Sequence, residues 1–514
     1  MNIDVSAALE NPAHWLESVA QSDPGRPLMR VPGEEVYSYA DVTDISGRFA
    51  TYLARCGIRA GDRVAAQVDK SPQNLMLCLA CIRMGAIYVP LNTAYSKMEL
   101  EYFIGDAEPD LLVCQPERLD EIKSVTDKFN VPALHSLGVD GEGTFVEGAL
   151  NCPPGDFLPF SGDPSEIAAL LYTSGTTGRS KGAMITRQAL AHCAKTLSDT
   201  WHFTADDVLL HALPIFHGHG LFIAANTVLY AGAQMIFTKR FDIDEVIANL
   251  PDATVFMGVP TMYMRLIKHP GFSPEVCNKL RLAISGSAPI MLETLDAFRE
   301  KSGCTILERY GLTETLIVTA NPYEGTAVQG SVGLPVRDVE VSLADIETGD
   351  VLSGPGQVGT IKVRSPGLFK GYWRNPEKTA EEMCTDGYFK TGDLGRFDEN
   401  GYLYIVGRSK DMIITGGYNV YPKEVEIKID GLGYVKESAV IGLPHPDFGE
   451  AVTAVVVTNT ASHPGEADMI AALKGGFTKY KCPKKIIFVG SLPRNAMGKV
   501  QKNLLRQDYK TLYQ

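Results

Sequence analysis

Between Leu171 and Met184 the chain reads LYTSGTTGRSKGAM, a stretch that few architectures can hold. The apolar run IAALLY, from Ile167 to Tyr172, has the pattern of a buried strand, and a helical pattern resumes near Arg187. Between them lies a turn rich in Gly, Ser, Thr and Lys that is able to wrap an oligophosphate. Gly175, Gly178 and Gly182 let backbone N–H groups approach phosphate oxygens, Ser174, Thr176 and Thr177 add hydroxyl donors, and Lys181 adds positive charge. The same composition also makes ordinary strand-to-helix turns. A P-loop of the NTPase kind does not fit, because Lys181 lies between Ser180 and Gly182 rather than between Gly and Ser or Thr.

A chain of 514 residues, 45% hydrophobic and 21% charged, is globular in composition and long enough for about three domains. Its net charge of −13 argues against a nucleic-acid-binding face or an anchor for anionic membranes, so no partner of either kind is expected. Met1 to Glu10 lacks a basic start with an apolar core, and no apolar run approaches membrane-spanning length, which gives a cytoplasmic expectation. The ten cysteines are scattered as in a reducing compartment. Cys78 and Cys81 form a CxxC inside PQNLMLCLACIRMG, where Ser71 and Pro72 open a helix, and without a second Cys/His pair nearby they read as core.

From Tyr37 to about Cys114, helical and short apolar stretches alternate, which is the rhythm of α/β layers. Ser96 and Glu99 have the spacing of a capping box. DVLLHALPIFHGHGLF, ATVFMGVPTMY and LRLAISGSAPI each end an apolar run in Gly, Pro or Ser, the kind of strand end at which ligand groups gather. Beyond Tyr323 the texture turns β-like and glycine-rich. From about Asp411 mixed strand and helix return over a length sufficient for a small domain.

YTSGTTGRSKG resembles the signature loop of the adenylate-forming superfamily, which comprises acyl-CoA synthetases, luciferases and peptide-synthetase adenylation domains. LPIFHGHG, SGSAPI, ERYGLTET, KTGDLG, GRSKDMIITGGYN and LPRNAMGKVQK follow in that family's order, so the likeness spans about Tyr37 to Lys502. It implies a large N-terminal multi-layer α/β domain, residues 1–409, and a small mobile C-terminal α+β domain, residues 410–514. It implies ATP, Mg2+ and CoA acting on a small carboxylic acid, through an acyl-adenylate. Thr173, Ser174, Gly175, Thr176, Thr177, Gly178 and Lys181 then clamp phosphates, and Ser287, Ala288 and Pro289 lie along the adenine. Glu308 belongs to the nucleotide site, Tyr310 packs on adenine, Thr313 meets the α-phosphate, and Glu314 with Thr176 holds magnesium. Asp393 binds ribose, Arg408 reaches ribose or phosphate, Lys410 is the hinge, Gly416 and Gly417 border the pantetheine tunnel, and Lys499 is the adenylation lysine.

Arg309 stands where most members have glycine, and a guanidinium there suits a second carboxylate on the acid. A surface pair between Arg309 and Glu308 is the alternative. In this respect the chain resembles malonyl-CoA synthetases, with His217 beside the acyl pocket and Ser287 near the acid. Those enzymes carry threonine and methionine where this chain has Gly218 and Ile317, so the resemblance implies more room at C2 and acceptance of methyl-, ethyl- or larger alkylmalonates. A short-chain or aryl monocarboxylate ligase and a stand-alone module loading a carrier protein are the other readings.

Overall fold

A computed structural model describes residues 11–155, 162–173, 180–459, 463–474, 478–494 and 499–513. Their packing separates two compact units, one of residues 11–173, 180–340 and 363–389, the other of residues 341–362 and the chain from 390 onward.

The first unit is built on two sheets. Among the described residues the smaller runs from edge to edge through Ala133–Ser136, Leu111–Cys114, Arg63–Gln67, Ile87–Pro90, Ile167–Thr173 and Lys181–Thr186. The central strands are parallel and fully buried, as expected of continuous apolar runs connected by helices. The helix Pro72–Met84 starts where Ser71 Oγ accepts from Asn74 N, with proline in the first turn. Cys78 and Cys81 are buried along it, and burial pushes both thiols upward, as suits core residues. The helix Lys97–Ala107 opens on a complete capping box, in which Ser96 Oγ accepts from Glu99 N and the Glu99 carboxylate accepts from Ser96 N and Oγ.

The larger sheet runs through Leu334–Pro335, Thr319–Ala320, Ile306–Tyr310, Leu282–Ser285, Val255–Gly258, Val208–His211, Gln234–Phe237, Pro27–Arg30 and Val36–Ser38. Its central strands are parallel, so His211, Gly258, Ser285 and Tyr310 lie at neighbouring carboxyl ends.

The glycine-rich stretch does not lead from strand to helix. A second strand, Lys181–Thr186, intervenes, pairing antiparallel with Ile167–Thr173 from Thr173↔Lys181 onward, and the helix Arg187–Trp201 begins after it. The far edge of that strand is also paired: Met184 N donates to Gly371 O, Lys370 N to Met184 O and Trp373 N to Gly182 O. Backbone partners on both edges make KGAMIT a strand despite its small residues.

In the second unit Gly449–Thr458 lies between Val435–His445 and Ile413–Thr415, and also pairs with Lys485–Phe488. Val440, Val452 and Val456 pack with Val425 and Ile429 of the helix Pro422–Asp430 and with Met469 and Leu473. Gly416 and Gly417, both at positive φ, close the hairpin of Ile413–Thr415 with Tyr418–Val420, the backbone that a two-residue type I′ turn requires. These two units meet the expected α/β class with a large and a small part. Among the described residues no helix is long and apolar enough to cross a membrane.

Ser96→Ala should lower the stability of the first unit by about 1 kcal/mol, read as a shifted midpoint in chemical denaturation, because Glu99 N at the helix start loses its acceptor.

Candidate active site

Arg309 is the next-to-last residue of the strand Ile306–Tyr310, and its side chain is 5% exposed. Its Nε and Nη2 have no hydrogen-bond partner among the described residues. Burial lowers its pKa to about 10, which leaves it charged at neutral pH. The guanidinium lies against Gly286, where a Cβ would overlap Nε, and helix residue Cys193 is close enough to feel its charge. Ser285, immediately before Gly286, has a buried Oγ that is likewise without a partner among the described residues. The alternative of a surface Arg309–Glu308 pair does not hold: successive strand residues face opposite ways, and the buried Glu308 carboxylate accepts from Gly330 N at 3.0 Å. Burial raises the Glu308 pKa to about 7.

His217, Gly218 and His219 form the turn after Val208–His211 and lead into a π-helical stretch, His219–Ala224. His219 is 2% exposed, and burial, with the nearby Arg309 charge, lowers its pKa far enough to keep it neutral. Its Nδ1 lies 3.2 Å from Ser287 Oγ, while Nε2 has no partner among the described residues. With Ser287 donating to Nδ1, Nε2–H becomes a second inward donor beside Arg309. Ser287 holds a left-handed backbone, φ 68°, that L-residues rarely adopt. The His217 ring accepts from His219 N at 3.4 Å. A Cβ on Gly218 would meet Leu171 Cδ1 at 3.2 Å and Leu316 Cδ2 at 3.9 Å, so Leu171 closes on the position and the absent side chain leaves no open space there. Ile317 is fully buried, one residue beyond Leu316, whose φ is 54°.

A separate polar cluster surrounds Glu314, which is 8% exposed and whose pKa is raised by burial. Tyr372 Oη lies 2.9 Å from Glu314 Oε1 and 2.5 Å from Glu382 Oε2. Lys181 Nζ is 3.3 Å from Glu382 Oε1 and 4.1 Å from the centre of the Tyr372 ring. Burial raises the Glu382 pKa, but Tyr372, Lys378 and Lys181 outweigh it and leave the group lowered. The hydroxyl has one hydrogen, and the shorter contact and the ionised partner both assign it to Glu382. Sequence reasoning found Lys181 and Glu314 but neither Tyr372 nor Glu382. The signal was present in FKGYW and PEKTAEE, which carry a hydroxyl and a carboxylate with no role of their own.

Tyr310 and Thr313 are partly exposed around the end of the same strand, as are Thr173 at the end of its own strand and Ser287 and Ala288; Pro289 is exposed. Ser174, Gly175, Thr176, Thr177 and Gly178 lie outside the described residues. In the second unit Asp393 is 4% exposed and its Oδ1 is 2.6 Å from Arg408 Nε, a pairing set by the antiparallel register Asp393↔Arg408. Lys410 is exposed in the single turn Ser409–Asp411, Gly416 and Gly417 form the hairpin tip, and Lys499 is exposed beside the Val500–Arg494 bridge.

Buried donors without partners among the described residues at Arg309 and His219, together with the carboxylate–lysine cluster at Glu314, on an α/β fold of this topology, suit an AMP-forming acid–thiol ligase. The chain belongs to the AMP-binding enzyme family, matching it over residues 16–373 and matching the AMP-binding enzyme C-terminal domain over 424–499. It is 48% identical to ATP-bound MatB from Rhodopseudomonas palustris, with a TM-score of 0.95 covering 98% of this chain and 100% of that one. It is 33% identical over 483 residues to a malonate–CoA ligase of Arabidopsis thaliana, covering 88% of this chain and 78% of that one. An indoleacetate–CoA ligase of Aromatoleum aromaticum is 32% identical over 501 residues, covering 96% and 97%. The protein is therefore an acyl-CoA synthetase whose substrates are a carboxylic acid, ATP and CoA.

The raised pKa of Glu308 gives a stability prediction. A carboxyl with a folded-state pKa above its unfolded value favours the fold below the unfolded pKa and loses that contribution as pH rises through about 7. Glu308→Gln keeps an acceptor for Gly330 N, so it should be more stable than wild type at about pH 8 and lose that advantage towards about pH 5, as read by thermal unfolding.

Proposed function

We propose that the acid is malonate or a C2-substituted malonate. The observation that carries this reading is the buried Arg309 guanidinium, with Nε and Nη2 unpartnered among the described residues and the neutral His219 Nε2 beside it. A charge taken out of water is retained where a ligand supplies its partner, and a carboxylate fits the guanidinium fork through two hydrogen bonds. An acid with two carboxylates can offer one to this pocket and the other to the α-phosphorus of ATP. The likeness to a malonate–CoA ligase and to MatB supports the same choice. The C2 substituents rest on the resemblance at Gly218 and Ile317, where malonyl-CoA synthetases carry threonine and methionine.

The reaction has two half-steps. A carboxylate oxygen bonds to the α-phosphorus as pyrophosphate leaves with the bond it breaks, and then the CoA thiolate bonds to the acyl carbon as AMP leaves. By family resemblance the residues from Thr173 to Gly178 and Lys181 hold the β- and γ-phosphates, with Thr313 at the α-phosphate. Tyr310 and residues 287–289 hold the adenine, Glu308 supports them through Gly330, and Asp393 and Arg408 hold the ribose. Lys499 stabilises charge in the first half-step. Lys410 is the hinge between residues 1–409 and 410–514, and Gly416 and Gly417 border the thiol's path in the second half-step.

Glu314 suits a magnesium ion: a buried carboxylate is relieved by a hard cation, and one carboxylate with phosphate oxygens is an adequate donor set. Among the described residues no group of three or more His, Cys, Asp or Glu is placed to hold a metal ion. When bound, the ion would offset charge on the departing pyrophosphate. Lys181, already held over Tyr372 beside Glu382, contributes positive charge from the protein.

AMP release with CoA should be measured across malonate, methylmalonate, ethylmalonate, succinate, acetate, benzoate and indoleacetate. Malonates should be the best substrates, and Arg309→Met should lower their kcat/KM on the order of 100-fold without affecting acetate to that degree. Preference for a monocarboxylate would overturn the reading. Gly218→Thr should reduce turnover of ethylmalonate more than of malonate, and equal turnover of ethylmalonate by the two enzymes would remove the C2 argument.

A further inference from the structure

Lys70 follows the strand Arg63–Gln67 of the smaller sheet, and His211 ends the strand Val208–His211 of the larger one. Both are buried, at 8% and 1% exposure, and among the described residues Lys70 forms no ion pair. Its amino group is nevertheless engaged: Nζ lies 2.7 Å from His211 O, 3.0 Å from His211 Nδ1 and 4.3 Å from the centre of the Phe237 ring, while burial draws its pKa well down. Phe237 also packs against the His211 ring, with centroids 5.2 Å apart.

This arrangement fixes the imidazole. With Nδ1 accepting from Lys70 Nζ, the ring proton sits on Nε2, which donates to Gly220 O at 2.9 Å. Gly220 is the second residue of the π-helical stretch, and a Cβ there would overlap Pro214 O, so the backbone approaches as closely as glycine alone permits. The Gly220 carbonyl also accepts from Ala225 N, which anchors the stretch from inside. A chain of donors thus runs from Lys70 through His211 to the residue that follows His219.

We propose that Lys70 and His211 are positioning residues for the acid pocket: they hold the turn of residues 217–220 so that the Nε2–H of His219 and the Arg309 guanidinium address the same carboxylate. This rests on the reading of that pocket as the acid site. Lys70 acts through His211 and touches no reactant, so its effect should fall on the acid and spare the nucleotide.

The test compares wild type, Lys70→Met, His211→Leu and His211→Gln, with the acid being whichever one the wild type turns over best in the panel, so a wrong assignment of malonate does not affect the outcome. Lys70→Met and His211→Leu should each raise the KM for the acid by about tenfold or more while the KM for ATP changes less than about twofold. His211→Gln keeps an N–H donor where Nε2 stands and should recover the acid KM to within about threefold. Equal rises in both KM values, or an acid KM within about twofold of wild type in folded variants, would overturn the proposal. If Lys70→Met does not fold, the His211→Leu and His211→Gln pair decides: no difference in acid KM between them overturns it.

Discussion

A guanidinium removed from water gives up several kcal/mol of hydration, and at Arg309 no ion pair among the described residues returns it. The surrounding features follow from that one burial. Glycine at 286 leaves room for the guanidinium, His219 stays neutral beside it, and Ser287 accepts a left-handed backbone while its hydroxyl meets the imidazole. Three parallel strands of the larger sheet end together here, at Gly258, Ser285 and Tyr310. A strong local cost held by a rigid sheet is the expected state of a site awaiting an anion.

The nucleotide side follows the opposite electrostatic logic. Glu382, Tyr372 and Lys181 satisfy one another before any ligand arrives, while Glu314 stands beside the Tyr372 oxygen with its carboxyl pKa raised by burial. Lys181 is neither loose nor solvated; it rests over an aromatic ring with a carboxylate at its tip. On the proposed reading, ATP exchanges one set of contacts for another at Lys181, whereas the acid meets the unpartnered donors of Arg309.

Much of this was legible in the sequence where the determining contacts are local. Ser71 with Pro72 and Ser96 with Glu99 marked helix starts correctly because capping acts within one turn. The apolar run 167–172 was recognisable as a strand, and the large and small parts followed from the ordered motifs. Other features depend on partners far along the chain. The strand Lys181–Thr186 pairs on one edge with Ile167–Thr173 and on the other with residues 370–373, about 190 positions away, and without that second edge in view it read as part of a turn. Lys70 and His211, 141 residues apart, carry no motif that would join them. Tyr372 and Glu382 stood in recognisable strings, yet their roles depend on Glu314, which only the folded chain brings near.

The contact between Gly286 and the Arg309 guanidinium couples two positions 23 residues apart. A Cβ at 286 would stand 2.3 Å from Arg309 Nε, so a larger residue there displaces the guanidinium from the place it holds. The effect of a change at either position therefore depends on the residue at the other, as for any two groups that share one volume.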